Sequence, residues 1–367
     1  MNEINNNINR FSLKEKLKQK SVWPFVERYL DEEYAAPPLV VDFDLTTFCD
    51  LACPECISSP VLNTERFSGK SALSLVDELI ELGIKAVILI GGGEPLIHKS
   101  VSHVIRRFGE AGVKIGLVTN GTLIHKHIDA IAEHVSWTRL SIDAGTTETY
   151  HKFRPSKKGA SLFDTVIENA RQLGEVKKHD MGYSFLLMSR SNGETNHLEI
   201  EQAGRLAKEV GCDYFELKTM FNLDHKILPQ DQEIVDSAKS QIAALRKIED
   251  DRFRIYDAFT FKELAKGEGS GLGHLKDYEA CPVAHLRTTI TPHGVYPCAY
   301  HRNNKNMRIG CLKKASMREV WENKKPHVNP MVDCQFECAR HEMNLFLFDL
   351  KSTRENVHLV DDWDLFI

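Results

Sequence analysis

From residue 39 onward the chain alternates short apolar runs with longer amphipathic ones. Leu39 to Leu45, Ala86 to Ile90, Lys114 to Val118, Thr138 to Ile142, Tyr183 to Met188 and Tyr214 to Leu217 have the length and apolar content of buried strands. Between them, Ser71 to Leu82, Ser100 to Glu110, Ile124 to His134, Leu162 to Leu173 and His197 to Val210 place apolar residues at helical spacing. Strands that each hand over to a helix predict right-handed βαβ crossovers and a parallel sheet buried on both faces. The expected fold class is therefore α/β, a partial TIM-like barrel of six βα units over residues 39–250. In "GIKAV", "AGVKIG" and "VGCDYF" a glycine stands at a helix end directly before a strand, marking the bottom turns. The working loops are then those at the opposite, carboxyl ends of the strands.

Residues 1–38 include "FSLKEKLKQKSVWPFVERYLDEEY", which predicts an N-terminal helical arm that packs and does no chemistry. Beyond about Asp251 the alternation is expected to stop. Residues 251–350 then form a smaller C-terminal α+β domain with a hairpin, "HLRTTITPHGVYPCAY", turned at Pro292-His293-Gly294. The tail, 351–367, ends in "HLVDDWDLFI", whose mixed acidic and aromatic residues leave three roles open: docking on the barrel, closing the site, or joining two chains.

Four unusual loops fall at the carboxyl ends of strands: "TTFCDLACPECIS", "GGGEP", "TNG" and "SIDAG". The first carries Cys49, Cys53 and Cys56 at a C-x3-C-x2-C spacing. Three thiolates on one short loop suit an iron-sulfur cluster with one iron left open, because each iron takes four ligands. A structural zinc is the rival, though it wants a fourth protein ligand that the loop lacks. Ser141 and Asp143 alternate with apolar neighbours and so share one side of the fourth strand. Asn120 has the character of a helix cap. Glu216 and Lys218 put charges on a strand that the barrel buries, which is costly unless they are paired or used. They are candidates for a general base or substrate clamp, with a mutual ion pair as the plainer reading.

A second set, Cys281, Cys298, Cys334 and Cys338, lies in the C-terminal region and supplies enough thiolates to close a cluster completely, or to hold a tetrahedral zinc. Cys311 lies between them and is open to three roles: replacing one ligand, standing unligated near the substrate, or being buried. Cys212, in a bottom turn, is expected to be a structural thiol. His285, His301 and His341 stand beside the auxiliary cysteines, where packing or hydrogen bonding accounts for them.

Charge and composition narrow the field further. A formal net charge of -5 with no concentrated basic face speaks against nucleic acid as a partner. No apolar run approaches a membrane span and no secretory series opens the chain, so the expected location is cytoplasmic, without a membrane partner. In a reducing compartment nine cysteines are better explained as metal or redox ligands than as disulfides.

The cysteine triplet after the first strand and Gly92-Gly93-Glu94-Pro95 after the second resemble, in order and placement, the radical S-adenosylmethionine (SAM) superfamily. The resemblance covers about Val40 to Leu217. It implies a 4Fe-4S cluster on Cys49, Cys53 and Cys56 whose open iron is chelated by the methionine amino and carboxylate groups of SAM. Electron transfer would then release methionine and a 5′-deoxyadenosyl radical, with a flavodoxin or ferredoxin as electron donor. Gly92 and Gly93 would let backbone approach the ligand, Glu94 would balance the methionine ammonium, and Pro95 completes the motif. Asn120, Ser141, Asp143 and Arg154 are the further positions for SAM contacts, Arg154 toward its carboxylate. One departure stands out: the residue before the third cysteine, commonly aromatic in the family, is Glu55, so adenine contacts must come from elsewhere.

The C-terminal cysteines, with the spacing from Gly294 to Cys298 and the later "SMREVWE", resemble the shortened "Twitch" version of the SPASM domain, over about Leu275 to Asn344. That resemblance implies a smaller iron-sulfur domain with one auxiliary 4Fe-4S cluster. The pairing is similar to that in the aminocyclitol dehydrogenase of butirosin biosynthesis. The leading expectation is hydrogen abstraction from a small polar metabolite, sugar- or aminocyclitol-like, leading to oxidation or epimerisation with the auxiliary cluster as electron relay. Epimerisation would need a thiol to return a hydrogen atom, for which Cys311 is the first candidate. The alternative is a maturase that modifies a ribosomal peptide, although the arm before Val40 is too short for a winged-helix leader-binding module. A reading of another class is a non-catalytic iron-sulfur and SAM-binding module.

Overall fold

Nine strands make one sheet in the computed structural model, which describes residues 13–265, 276–324, 328–353 and 357–367. They are β1 (Val40–Phe43), β2 (Ala86–Leu89), β3 (Lys114–Thr119), β4 (Trp137–Ser141), β5 (Asp180–Leu187), β6 (Tyr214–Thr219), β7 (Arg254–Asp257), β8 (Arg287–Thr291) and β9 (Gly294–Tyr296). The order is β7-β6-β5-β4-β3-β2-β1-β8-β9, and every pairing is parallel except the β8–β9 hairpin. The first six strands and their helices stand where the apolar periodicity puts them, to within a few residues.

The helices cover one face of this sheet. In Gly69–Glu81, Ser68 caps the amino end by accepting from the Ser71 amide, and Ala72, Leu75, Val76 and Leu79 turn one stripe toward the strands. The bottom turns at Gly83 and Gly112 take φ of 82° and 76°, the left-handed conformation that glycine adopts without strain. Val41, Phe43, Val87, Leu89, Leu140, Phe185, Phe215 and Leu217 face these helices in the main core.

Two expectations are corrected here. The alternation does not stop at residue 251: the helix Gln232–Arg246 leads into β7, which pairs with β6, so a seventh parallel strand extends the barrel. The C-terminal hairpin is not separate from the sheet either, because β8 pairs with β1 in parallel, Val41 opposite Thr288 and Phe43 opposite Ile290. Local periodicity cannot reveal a pairing between strands more than two hundred residues apart.

The lower end of the other, inner face is filled by three segments remote in sequence. Leu17, Val22, Val26 and Tyr29 of the arm, Met343 and Leu347 of the last helix (His341–Thr353), and Phe366 and Ile367 of the tail bury one another against Val40, Ala86 and Ile88. Lys16 pairs with Asp364 at 2.6 Å, Arg287 donates to the Ile367 carbonyl, and Phe366 meets Trp137 edge-on. The tail therefore docks at the amino ends of the strands, opposite the working loops, and does not close the mouth. The first twelve residues of the expected arm, and Leu275, lie outside the described residues. Among the described residues no helix is long and apolar enough to cross a membrane.

Candidate active site and auxiliary centre

The loop after β1 holds Cys49, Cys53 and Cys56, all half-buried. Its path is fixed by its neighbours: Thr47 Oγ1 accepts from the amides of Thr64 (3.0 Å) and Glu65 (2.9 Å), and the Ala52 amide donates to the Pro155 carbonyl at 2.8 Å. Burial pushes the Cys49 thiol up to about 12 and the Cys53 thiol up to about 11, and raises Cys56 as well. Such thiols stay protonated until a cation takes them as thiolates, which is what iron does. Cys53 lies in electrostatic reach of both Cys49 and Cys56, with Arg154 beside Cys53 and Cys56. The three side chains therefore fit an iron-sulfur cluster.

The glycine loop after β2 is bound to the cysteine loop itself. The Glu94 amide donates to the Phe48 carbonyl at 2.8 Å, and a Cβ on Gly93 would lie 2.2 Å from that same oxygen. Gly93 thus makes room for the cysteine-loop backbone. A Cβ on Gly92 would meet Thr47 at an ordinary 3.4 Å. The buried Glu94 carboxylate accepts from the Leu96 amide (3.0 Å), Thr119 Oγ1 (2.7 Å) and the Asn120 amide (2.7 Å). Burial raises it to about 7 despite these donors. Pro95 starts a short 3-10 turn behind it.

Asn120 does more than cap. Its Nδ2 donates to Asp50 Oδ1 at 2.8 Å and lies 3.9 Å from Cys49 Sγ, while Thr122 Oγ1 donates to Asp50 Oδ2 at 2.6 Å. The loop after β3 is thereby tied to the cysteine loop. Beyond β4, Asp143 takes φ of 62°, accepts from the Leu186 amide at 2.7 Å and from Arg154 Nε at 2.6 Å, and so fixes the guanidinium that stands by Cys53. Ser141 pairs in register with Ser184.

Glu216 and Lys218 do form the ion pair that sequence allows, at 2.7 Å, with Arg139 at 3.9 Å from the same carboxylate. They alternate with buried Phe215, Leu217 and Thr219, which places them on the inner face. Burial lowers the Lys218 ammonium to about 8. Glu55 is bound bidentately by Arg190, at 2.5 and 2.9 Å, and the guanidinium lies 4.4 Å from the centre of the Phe153 ring. The position that is commonly aromatic here carries a carboxylate clamped by the segment after β5.

The second cysteine set converges. Cys281, Cys298, Cys334 and Cys338 line one cavity together with Lys276, Arg287, Arg340 and Asn344. Each of Cys281, Cys298 and Cys334 is raised by burial and further by the neighbouring thiols. His301 Nε2 lies 3.4 Å from Cys334 Sγ, whereas His285 packs against Tyr29 and Tyr34 and His341 bonds to Tyr278. Cys311 is not part of this ring. It follows Gly310, which bridges Val295 on the free side of the edge strand β9, and it does not line the cavity. Cys212 is buried in the main core, as expected. Among the described residues no three His, Cys, Asp or Glu side chains are drawn close enough to hold a single metal ion.

Asp42 and Asp44 were overlooked at the sequence level, and they join the two sites. Both are fully buried on the inner face of β1: Asp42 is held by Arg287 Nε at 3.1 Å and Nη2 at 2.5 Å, and Asp44 by Arg302 Nε at 2.7 Å and the Gly91 amide at 3.0 Å. The signal was available in "VVDFDL", because two acids on a buried parallel strand demand buried cations.

Comparison with known proteins agrees with this geometry. The family model of the radical SAM superfamily matches residues 43–199. The chain is 26% identical over 307 residues to the AdoMet-dependent heme synthase of Methanosarcina barkeri, covering 78% of this chain and 82% of that protein. It is 22% identical over 290 residues to the mycofactocin maturase MftC of Mycobacterium ulcerans, covering 78% and 75%. The fold superposes with a TM-score of 0.59 on Streptococcus suis SuiB bound to precursor peptide SuiA, at 14% identity over 82% of this chain and 68% of that one. Identity that low shows a shared fold.

Proposed function

Residues 43–199 of this chain belong to the radical SAM superfamily, and from that premise we propose that the enzyme is a maturase that abstracts hydrogen from a side chain of a peptide substrate. The observation that carries this reading is the likeness over 78% of the chain to a maturase, together with a fold shared with a protein solved bound to its precursor peptide. The small polar metabolite expected from sequence becomes the second reading.

A reduced 4Fe-4S cluster with bound SAM supplies a 5′-deoxyadenosyl radical. Cys49, Cys53 and Cys56 would hold that cluster, and Cys281, Cys298, Cys334 and Cys338 the auxiliary one. Glu94 offers a carboxylate to the methionine ammonium of SAM, and Asp143 orients Arg154 for its carboxylate. Lys218 and Glu216, on the inner face, are the pair able to move a proton or hold a polar group of the substrate. That Arg139–Glu216–Lys218 cluster is also the one feature favouring the second reading, oxidation or epimerisation of a small polar metabolite.

Extract from deuterated cells, split by dialysis, separates the two. Reduced, reconstituted enzyme with SAM is expected to move deuterium into 5′-deoxyadenosine with the retained fraction, and protease treatment of that fraction should abolish transfer. Label from the dialysable, protease-resistant fraction would replace the peptide by a metabolite.

A further inference from the structure

Arg340 stands two residues beyond Cys338 and lines the cavity ringed by the four auxiliary cysteines. Its Nε is buried and has no hydrogen-bond partner among the described residues. A buried N–H left unpaired costs about 1–3 kcal/mol, so its acceptor belongs in the cavity it faces. The charged and ionisable groups in its reach include Asp42, Tyr300, Cys338 and Cys298, and the cations Arg287 and Lys16. Asp42 is already held bidentately by Arg287, so one carboxylate stands against two guanidinium groups. The other cation of the cavity, Lys276, gives its Nζ to the carbonyls of Cys334 (2.7 Å) and Phe336 and has one carboxylate, Glu337, in its reach, so three cations stand against two carboxylates. The walls therefore hold a surplus of positive charge aimed at four thiolates.

We propose that Arg340 sets the potential of the auxiliary cluster, donating through Nε to its sulfur and making that centre an electron acceptor. The proposal rests on the reading of the four cysteines as a 4Fe-4S site. A cluster carries one more negative charge when reduced than when oxidised. A cation held in low dielectric beside it stabilises the reduced form more, and hydrogen bonds to its sulfurs act in the same direction. The electron balance is simple. The substrate loses a hydrogen atom to the 5′-deoxyadenosyl radical, and the resulting substrate radical gives a proton to a base and its unpaired electron to the auxiliary centre. The substrate is thereby oxidised by two electrons and the auxiliary cluster reduced by one. Arg340 acts through the cluster and is a positioning residue, not a catalytic one.

The test uses the full chain with Cys49, Cys53 and Cys56 replaced by Ala, so that only the auxiliary centre titrates. Iron, sulfide and zinc are assayed first, and the midpoint potential is then followed by electron paramagnetic resonance. In that background Arg340→Gln is expected to keep its iron and to lower the reduced-to-oxidised ratio at fixed poise about tenfold, which is a shift of about 59 mV for one electron. Arg340→Lys keeps the charge but not the planar donor, and is expected to fall in the same direction by less. Should Arg340→Gln shed its iron, the titration of Arg340→Lys decides. A potential equal to that of the parent in an iron-replete variant overturns the proposal. Zinc in place of iron in the parent overturns the cofactor reading itself, and metal analysis reveals this before any titration.

Discussion

Replacing Gly93 by Ala tests how the two loops that build the SAM site depend on each other. The new Cβ would lie 2.2 Å from the Phe48 carbonyl oxygen, 2.5 Å from the Thr47 carbonyl carbon and 2.6 Å from the Thr47 oxygen. All three are backbone atoms of the cysteine loop, which no rotamer change can move aside. To reach ordinary contact the loops must separate by about 1 Å, which breaks the Glu94 amide bond to Phe48. Overpacking of this kind costs about 1–3 kcal/mol and an orphaned buried amide about 1–3 kcal/mol, so about 2–6 kcal/mol is expected in all. Gly92→Ala is the internal control, because its Cβ meets Thr47 Cγ2 at 3.4 Å and Asp44 Oδ2 at 3.6 Å, ordinary contacts. It should cost under about 1 kcal/mol. Urea denaturation of the apo chain measures the stability difference, and iron bound after anaerobic reconstitution measures the damage to the cysteine loop. Equal behaviour of the two alanine variants in both assays would refute the reasoning, since it would mean that the loops do not touch as described.

Other outcomes follow from the buried charges and thiols. Glu94 titrates near 7, above its ordinary 4.5, because of burial. Its folded form holds the proton more tightly than the unfolded chain, so its contribution to apo stability is lost as pH rises through 7, while SAM affinity rises over the same range as the carboxylate forms. Calorimetric titration with SAM from pH 6 to pH 8 should show this in the wild type, and a flat profile in Glu94→Gln. Lys218 titrates near 8, below its ordinary 10.5, again because of burial. Its contribution is full above 10.5 and lost as pH falls through 8, so the stability of wild type relative to Lys218→Met should climb between those two values in denaturant titrations. Cys311→Ala is expected to keep the full auxiliary iron content and Cys334→Ala to lose it, as read by metal analysis in the background lacking the first three cysteines.

Strands, helices and both cysteine sets were legible in the sequence because their signals are local. An apolar run bounded by a glycine turn, or three thiols within eight residues, carries its meaning in neighbours along the chain. The same holds for the carboxyl-end loops, whose convergence follows from repeating one βα unit. Three-dimensional structure alone decided what meets across the sheet. That β8 lies beside β1, that Arg287 reaches Asp42 from 245 positions away, and that Glu55 faces Arg190 over a separation of 135 follow from strand order and register. The cost of burying a charge requires that a partner exist, and so "VVDFDL" announces two cations. It does not say which of the chain's lysines and arginines will answer, because that choice is made by long-range packing, where sequence separation carries no information about distance.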